Sequence, residues 1–475
     1  MKALTRIVEV LSVPLLLLMV FFLADRRPGY FSNITYLEGL ILLEVVIVTV
    51  WHFESALFPV MMLAFFWAGS DMPFTGAGEG ARWVFLFVGA SVGLLRWLNR
   101  DDRLPFHSFH VIALLCVSSA IVSSLVSSRR EFSLLKTASL FLLFLYGSCG
   151  ARLLIAGREK KFFRGLMLGV EWGTYFMGFC YVLLHAAVLG NPNSLGAVAG
   201  VILVPLLLWG VLATNDRALK RRWTIALCIS GYLLLVSASR SGLLAAAVVA
   251  VFMCLSIGRG VLLLRGALIA VFFVAAIAVL QPSNFDSLLQ AFTTHVIYKD
   301  KVAQGLLGSR MDPWQDTLDV MRANPWFGSG FGTDRTQVTE GSDSMLSTVN
   351  GSNHEHGSSY LSVLQYMGLL GVVPFVILLL MTSYQIWRVS RWMRKTRSAQ
   401  HYAIPLAMVC VAGLVHAGFE DWMFAVGYYL TVFFWTSAFL LCDLQPRFAE
   451  APLMFRRRAR YQPAARSQVV VASSR

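Results

Sequence analysis

The sequence predicts an all-α polytopic membrane protein with about 14 transmembrane helices and one large periplasmic loop that carries short helices. Of its 475 residues, 57% are hydrophobic and 14% are charged, whereas soluble domains are about 45–50% apolar and about 25% charged. The apolar residues form long runs, and a helix needs roughly 20 such residues to cross a bilayer. The net charge of +14 does not indicate nucleic-acid binding, because the charges lie in short clusters between the apolar runs.

The apolar runs divide the chain into five parts. Lys2 and Arg6 precede the first run, as in a signal peptide, but Asp-Arg-Arg-Pro follows it at 25–28 instead of a small-residue cleavage site. We therefore expect a retained helix. The parts are N-terminal transmembrane helices (1–156), central transmembrane helices (157–281), the loop (282–359), C-terminal transmembrane helices (360–446) and a cytoplasmic tail (447–475). The spans are predicted at 7–24, 34–50, 54–69, 82–98, 109–126, 134–156, 166–189, 194–213, 223–237, 242–257, 261–281, 360–386, 402–418 and 422–442.

The distribution of lysine and arginine predicts which side of the membrane each connection faces. Most basic residues fall in segments that lie inside if the N-terminus is cytoplasmic, such as 158–164, 217–222 and 388–397. Because basic residues concentrate on the cytoplasmic side, we expect both termini to be cytoplasmic and the protein to lie in the bacterial inner membrane. The loop at 282–359 is then periplasmic, while the basic cluster at 129–136 conflicts locally with this topology.

A Ser-Arg-Ser-Gly sequence at 239–242 forms a predicted outer hairpin between two apolar helices. Arginine is costly near a membrane, at about 2.5–3.5 kcal/mol if it is forced to the helix centre. Arg240 therefore has two interpretations. It is an interfacial arginine whose side chain reaches the headgroups, or it is an anion site, because guanidinium makes paired hydrogen bonds to phosphate oxygens.

A second arginine, Arg310, lies in the long loop just before a predicted helix. Asp312 is a suitable N-cap and Pro313 suits the first helical position, while Asn-Pro at 324–325 ends the helix. Arg310 would then lie at a helix N-terminus, where backbone N–H groups favour anions; the alternative is a solvated loop arginine. The sequence Trp-Phe-Gly-Ser-Gly-Phe-Gly at 326–332 lacks the Lys-Ser/Thr ending of a nucleotide-binding loop and is interpreted as a flexible turn.

Two histidines, His354 and His356, close the loop just before the helix that begins near Tyr360. Their spacing is weak support for a zinc site, because no cysteine lies nearby. The other interpretations are structural histidines, or a general base at the membrane surface, since histidine titrates near neutral pH. Glu420 and Asp421 add carboxylates on the same side, and we expect them to pair with an arginine rather than to bind a sugar hydroxyl.

Taken in order, these segments resemble the O-antigen ligase and polymerase superfamily of bacterial envelope polysaccharide synthesis, the Wzy/WaaL type. The resemblance rests on the helix that ends in Ser-Arg-Ser-Gly at 239–242, the loop pattern from Arg310 and Trp314 to residue 330, and a histidine before Tyr360. It extends to Asn-Pro-Asn-Ser at 191–194 and to Gly-Leu-Leu-Gly at 368–371. The ordered set carries the resemblance, rather than any single motif.

The resemblance implies a glycosyltransferase whose donor is a glycan on undecaprenyl pyrophosphate, with no cofactor and no metal. Arg240 and Arg310 would inherit the role of holding the pyrophosphate, and a loop histidine would help to activate the acceptor hydroxyl. The family histidine usually lies in a His-Asn pair, whereas Gly357 follows His356 here; we favour His356 over His354 as the base. Expected partners are the lipid-linked oligosaccharide, a polysaccharide acceptor, membrane lipids, and flippase and chain-length regulator proteins, but no nucleic acid.

Three hypotheses about function follow. The first is a polymerase that joins undecaprenyl-pyrophosphate-linked repeat units into an exopolysaccharide or O-antigen, and the large number of spans favours it. The second is an O-antigen ligase that transfers the glycan to lipid A-core. The third, from another class, is a polysaccharide or lipid transporter, which predicts charges at mid-membrane; the acidic residues Glu38, Glu44 and Glu171 keep it open.

Overall fold

The computed structural model describes residues 57–72, 75–99, 105–184, 188–189, 191–280, 290, 293, 308–333 and 357–446. These residues form helices and their connections, and there is no β-strand among them. The prediction of an all-α fold is confirmed for this part of the chain. The spans predicted at 7–24 and 34–50 and the tail at 447–475 lie outside the described residues.

The helices follow the apolar runs of the sequence, because lipid leaves a backbone few other ways to pair its polar groups. Two π-helical segments, Tyr146–Ala151 and Val198–Leu203, join neighbouring α-helices into continuous rods. The α-helices in chain order are α1 (Leu57–Ala68), α2 (Thr75–Asn99), α3 (Ser108–Val126), α4 (Arg130–Leu145), α5 (Arg152–Ile155), α6 (Glu159–Val182), α7 (Pro192–Ala197), α8 (Val204–Ala213), α9 (Arg217–Val236), α10 (Arg240–Ser256), α11 (Gly260–Leu280), α12 (Gly308–Ala323), α13 (Ser359–Gly371), α14 (Val373–Thr396), α15 (Ala403–Ala417) and α16 (Tyr429–Asp443).

Several of these helices are long and apolar enough to cross a membrane. In the described ranges there are 5 candidate spans, namely Glu79–Leu98, Ser108–Val126, Arg130–Ala151, Pro192–Ala213 and Val373–Thr396. Helices α1, α10, α15 and α16 are shorter but also apolar. These features are those of a multi-pass membrane protein, while the full number of spans stays a prediction.

Helices α15 and α16 form the centre of the bundle. Nearly all of their side chains are buried, including Leu406, Cys410 and Trp435. Helix α15 packs against α8, α10 and α14, and α16 packs against α1 and the π-helical segment at 146–151. Both helices are therefore surrounded mainly by protein and not by lipid. The connection between them, at 418–428, is therefore held at one end of the bundle by the core itself.

The span predicted at 360–386 is broken into α13 and α14, and α13 itself is kinked. Gly368 has φ 63° and ψ −175°, a combination that is essentially restricted to glycine. The kink exposes backbone groups to which the loop binds. The Leu369 N–H donates to the Pro325 carbonyl at 2.8 Å, and the Ser329 N–H donates to the Gln365 carbonyl at 3.0 Å.

A buried ion pair ties the helices together at the opposite end of the bundle. Arg152 donates from Nε to Asp443 Oδ2 at 2.5 Å and from Nη2 to Oδ1 at 2.8 Å. Its Nη2 also donates to the Pro105 carbonyl at 2.9 Å. The Arg152 side chain is 1% exposed, so this pair fixes the start of α3 and the end of α16 on α5.

Candidate active site

The Ser-Arg-Ser-Gly sequence forms the predicted hairpin turn. Helix α9 ends at Val236 and α10 begins at Arg240. Ser239 is the N-cap of α10, and its Oγ accepts a hydrogen bond from the Gly242 N–H at 3.3 Å. This bond satisfies a backbone donor that the helix itself leaves unpaired. Because Ser239 is buried, the turn holds Arg240 in a defined position, as the first residue of the helix.

Glycines let the rod that contains α7 and α8 cross directly over this turn. Gly196 and Gly200 lie about one helical turn apart, and a Cβ added to Gly196 would lie 2.1 Å from Ser239 Cβ. A Cβ added to Gly200 would lie 2.4 Å from the Gly242 carbonyl oxygen. Membrane helices use such small residues to bring their backbones close together. The rod opened by the Asn-Pro-Asn-Ser motif is therefore in direct contact with the Arg240 turn.

Arg310 lies in the first turn of α12 and pairs with a residue from the α15–α16 connection. Its Nη2 donates a charge-assisted hydrogen bond to Glu420 Oε1, and the two side chains are 9% and 16% exposed. Helix α12 begins at Gly308 and contains Pro313, so the predicted N-cap at Asp312 is wrong. Pro313 lies inside the helix, where it lacks the N–H that would otherwise donate to the carbonyl of Ser309. The expected position of Arg310 near a helix N-terminus is confirmed.

Contacts with the first residue of α13 determine where Glu420 lies. Ser359 Oγ donates to the Glu420 carbonyl at 2.7 Å, and the Ser359 N–H donates to the same oxygen at 3.2 Å. The same Oγ accepts hydrogen bonds from the N–H groups of Trp422 and Met423, both at 3.0 Å. The connection is thereby attached to the N-terminus of α13, and the Glu420 side chain contacts Arg310.

Arg240, Arg310 and Glu420 form one electrostatic cluster, which we call the arginine–glutamate cluster. Arg240 lies within electrostatic range of both other groups. Helices α10, α12 and α13 all begin here, and the N-terminus of a helix carries a partial positive charge. The cluster thus brings two guanidinium groups and one carboxylate together at these helix N-termini. The predicted pairing of a carboxylate with an arginine is confirmed for Glu420; its neighbour Asp421 accepts a hydrogen bond from Ser362 Oγ at 2.7 Å.

His416 links the end of α15 to the Arg240 turn. Trp422 donates from its Nε1–H to His416 Nδ1 at 2.8 Å. Because an indole nitrogen is a donor only, Nδ1 is the acceptor and carries no proton. The ring proton is then on Nε2, which lies 3.3 Å from Ser241 Oγ. With both nitrogens engaged and 1% of the residue exposed, His416 can position the turn but is not available as a base.

The glycine-rich segment at 326–332 is held in place, so the prediction of a flexible turn is wrong. Ser123 Oγ donates to the Phe327 carbonyl at 2.9 Å, and Ser133 Oγ donates to the Phe331 carbonyl at 2.9 Å. Gly330 has φ 106°, which lets the backbone turn these carbonyls towards the hydroxyl groups. Phe331 is buried. The segment therefore supports the loop between α12 and the kink in α13.

The two loop histidines lie outside the described residues. Gly357, which follows His356 in the sequence, packs against α12. A Cβ added to Gly357 would lie 3.1 Å from Trp314 Nε1 and 3.4 Å from Arg310 Cδ. The chain therefore enters α13 directly beside Arg310. The roles of His354 and His356 stay predictions.

Glu171 has a structural partner. Arg222 donates from Nε to Glu171 Oε1 at 2.8 Å and from Nη2 to Oε2 at 3.0 Å. The Tyr175 hydroxyl also contacts Oε1, at 3.3 Å. This pair lies near the start of α9, whereas the Arg240 turn follows the end of that helix. The other two predicted intramembrane acids, Glu38 and Glu44, lie outside the described residues.

Sequence reasoning missed His416 and Ser241, although Ser241 belongs to a motif that it used. A signal was available, because a histidine within an apolar helix has two ring nitrogens that need partners when it is buried. In the part of the chain that the structure describes, no group of three or more His, Cys, Asp or Glu side chains is arranged to hold a metal ion.

Residues 225–376 match the family model described as O-antigen ligase. The matched segment begins within α9 and ends within α14, and it contains Arg240, Arg310 and both loop histidines. His416 and Glu420 lie beyond it. No curated protein matches the chain.

Proposed function

Since the chain belongs, through residues 225–376, to the O-antigen ligase/polymerase superfamily, we propose that it is a membrane glycosyltransferase whose donor is a glycan on undecaprenyl pyrophosphate. One observation carries the proposal. The arginine–glutamate cluster lies where α10, α12 and α13 begin, and it brings the guanidinium groups of Arg240 and Arg310 within electrostatic range of each other. Guanidinium groups bind phosphate oxygens through paired hydrogen bonds, and helix N-termini also favour phosphate.

In the proposed reaction, a hydroxyl oxygen of the acceptor attacks the anomeric carbon of the donor sugar. The bond between that carbon and the phosphate oxygen breaks, and undecaprenyl pyrophosphate leaves with the electron pair. Arg240 and Arg310 stabilise the charge that develops on the leaving group; loss of one such preorganised donor typically costs about 10²–10³ in rate. The hydroxyl proton passes to His356, the base that we favour, and a positioned base contributes about 10²–10⁴.

We further propose that the reaction is polymerisation of lipid-linked repeat units on the periplasmic side of the inner membrane, with both termini cytoplasmic. Deleting the gene tests this against ligation. Loss of secreted high-mass polymer with intact capped lipopolysaccharide supports a polymerase, and uncapped lipopolysaccharide supports a ligase. The transporter alternative is weakened because Glu171 is paired with Arg222. Glycosidic bond formation by the purified protein from lipid-linked donor would exclude transport as the sole activity.

The site itself is tested by Arg240→Ala, Arg310→Ala and His356→Ala. Each variant should form no polymer when variants are compared at equal amounts of protein in the membrane, since Arg310→Ala also removes the buried partner of Glu420 and should lower stability. Arg322→Ala is the matched control, because Arg322 lies on α12 like Arg310 but is 72% exposed and pairs with Asp319 on the same helix. Full activity in both Arg240→Ala and Arg310→Ala would contradict the assignment of the pyrophosphate site.

A further inference from the structure

The carboxylate of Glu420 is bound to Arg310, the arginine that the proposed reaction needs for binding the donor. The carboxylate accepts a hydrogen bond from Arg310 Nη2, and both side chains are largely buried. Exposed ion pairs contribute little, whereas removal of one partner of a buried pair is costly because it leaves an uncompensated buried charge. The Arg310–Glu420 pair is therefore a defined contact of the fold rather than an incidental surface pair.

The backbone contacts of Glu420 make this contact part of the architecture. Two hydrogen bonds from Ser359 hold the Glu420 carbonyl, and Ser359 in turn accepts hydrogen bonds from the next part of the connection. The α15–α16 connection is thus fixed before any donor arrives. The backbone of Glu420 is therefore held in place, and its largely buried side chain contacts Arg310.

Charge decides what happens when a pyrophosphate enters. Each phosphate of the donor has the same sign of charge as Glu420, and it binds arginine N–H groups as a carboxylate does. Like charges in a partly buried site repel strongly, because water screens them poorly. A phosphate that binds Arg310 therefore competes with the Glu420 carboxylate for the Nη2 donor.

We propose that Glu420 is a counter-ion for Arg310. In the empty site its carboxylate occupies the position on Arg310 where a phosphate of the donor would bind, and the donor must displace it. Glu420 therefore sets the affinity for the donor. This inference rests on the proposed function of Arg240 and Arg310. It makes Glu420 a specificity-determining residue, since a ligand must outcompete a carboxylate to enter. The apparent Kd equals the intrinsic Kd divided by the fraction of molecules in which Arg310 is available to the donor.

Glu420→Gln tests the proposal, because glutamine keeps the size and an acceptor oxygen but removes the charge. The full-length protein in detergent is titrated with inorganic pyrophosphate by calorimetry at fixed ionic strength. We expect the Kd of Glu420→Gln to be about tenfold lower than that of the wild type, which corresponds to about 1.4 kcal/mol. The KM for lipid-linked donor should fall in parallel.

A second variant and a control keep the result interpretable. Glu420→Ala also removes the charge and should shift the Kd in the same direction even if one of the two variants folds poorly. Asp319→Asn removes a carboxylate from the exposed pair with Arg322 on α12 and should leave the Kd unchanged. An unchanged or higher Kd in folded Glu420→Gln and Glu420→Ala would overturn the proposal, because Glu420 would then orient Arg310 for the donor.

Different results would contradict the proposed function and the proposed role of Glu420. If pyrophosphate binding does not depend on Arg240 or Arg310, the proposed function and this inference both fail. If Arg240→Ala and Arg310→Ala abolish binding while removal of the Glu420 charge has no effect, only the role of Glu420 as a competing counter-ion fails.

Discussion

A single methyl group added at Gly196 should displace the turn that carries Arg240. The new Cβ would lie 2.1 Å from Ser239 Cβ and 2.6 Å from its Oγ, whereas carbon atoms in contact are about 3.5–4.0 Å apart. One of the two helices must then move by roughly 1.5 Å. Overpacking of this kind costs about 1–3 kcal/mol, and a shift of about 1 Å at a reacting group can lower the rate about 10²-fold. We expect Gly196→Ala to fold with a lower unfolding midpoint and to lose most of its glycosyl transfer.

Gly231→Ala is the matched control, because Gly231 lies in α9 and a Cβ there would have no atom within 4 Å. Alanine favours a helix over glycine by about 1 kcal/mol, so this variant should be neutral or stabilising. Both full-length variants are quantified in membranes, unfolded thermally in detergent, and assayed for polymer formation from lipid-linked donor. Wild-type rate and unfolding midpoint in Gly196→Ala would refute the argument that the close crossing positions Arg240.

Three further predictions concern other parts of the bundle. His416→Gln can keep both hydrogen bonds of the imidazole and should remain active with an unaltered pH profile. His416→Leu leaves the Trp422 N–H unsatisfied and should lose about 1–3 kcal/mol of unfolding free energy. A glutamine variant that folds but is inactive would instead make His416 a base. Gly368→Ala forces a side chain into a conformation that only glycine adopts and should lower the free energy of unfolding by about 1–3 kcal/mol, so an unchanged thermal midpoint would count against the kink. Arg152→Ala removes the main partner of Asp443 and should cost about 3 kcal/mol of stability, while activity per folded molecule stays unchanged because the pair lies at the far end from Arg240.

Hydropathy located the helices well and their ends less well. Apart from the span predicted at 360–386, which is broken into α13 and α14, the spans predicted within the described residues overlap a helix or a rod, because a long apolar run has few stable structures other than a helix. The span predicted at 422–442 shows the limit of this reasoning, since α16 begins only at Tyr429. Trp422, Met423 and Phe424 are apolar and buried, but they belong to a connection. Apolar composition reports burial, and it does not distinguish a buried loop from a membrane helix.

The two arginines of the candidate site could be predicted from the sequence, but the residues that contact this site from distant parts of the chain could not. Arg240 and Arg310 stand out because charge is costly beside apolar helices, and their order along the chain matches a known family. Glu420 lies 110 positions from Arg310, and His416 lies 175 positions from Ser241. No local period connects residues so far apart, so their contacts depend on how the helices pack.

Composition and local spacing were enough to predict a helical membrane protein with two arginines in unusual places, because both act within a single helix or turn. The pairing of Glu420 with Arg310, the engagement of His416 at both nitrogens and the close crossing of the Arg240 turn by a second helix became visible in the packed bundle. The physical reason is that these contacts arise where α10, α12 and α13 begin around the buried α15–α16 hairpin. That arrangement is set by close packing between helices and not by any one of them alone.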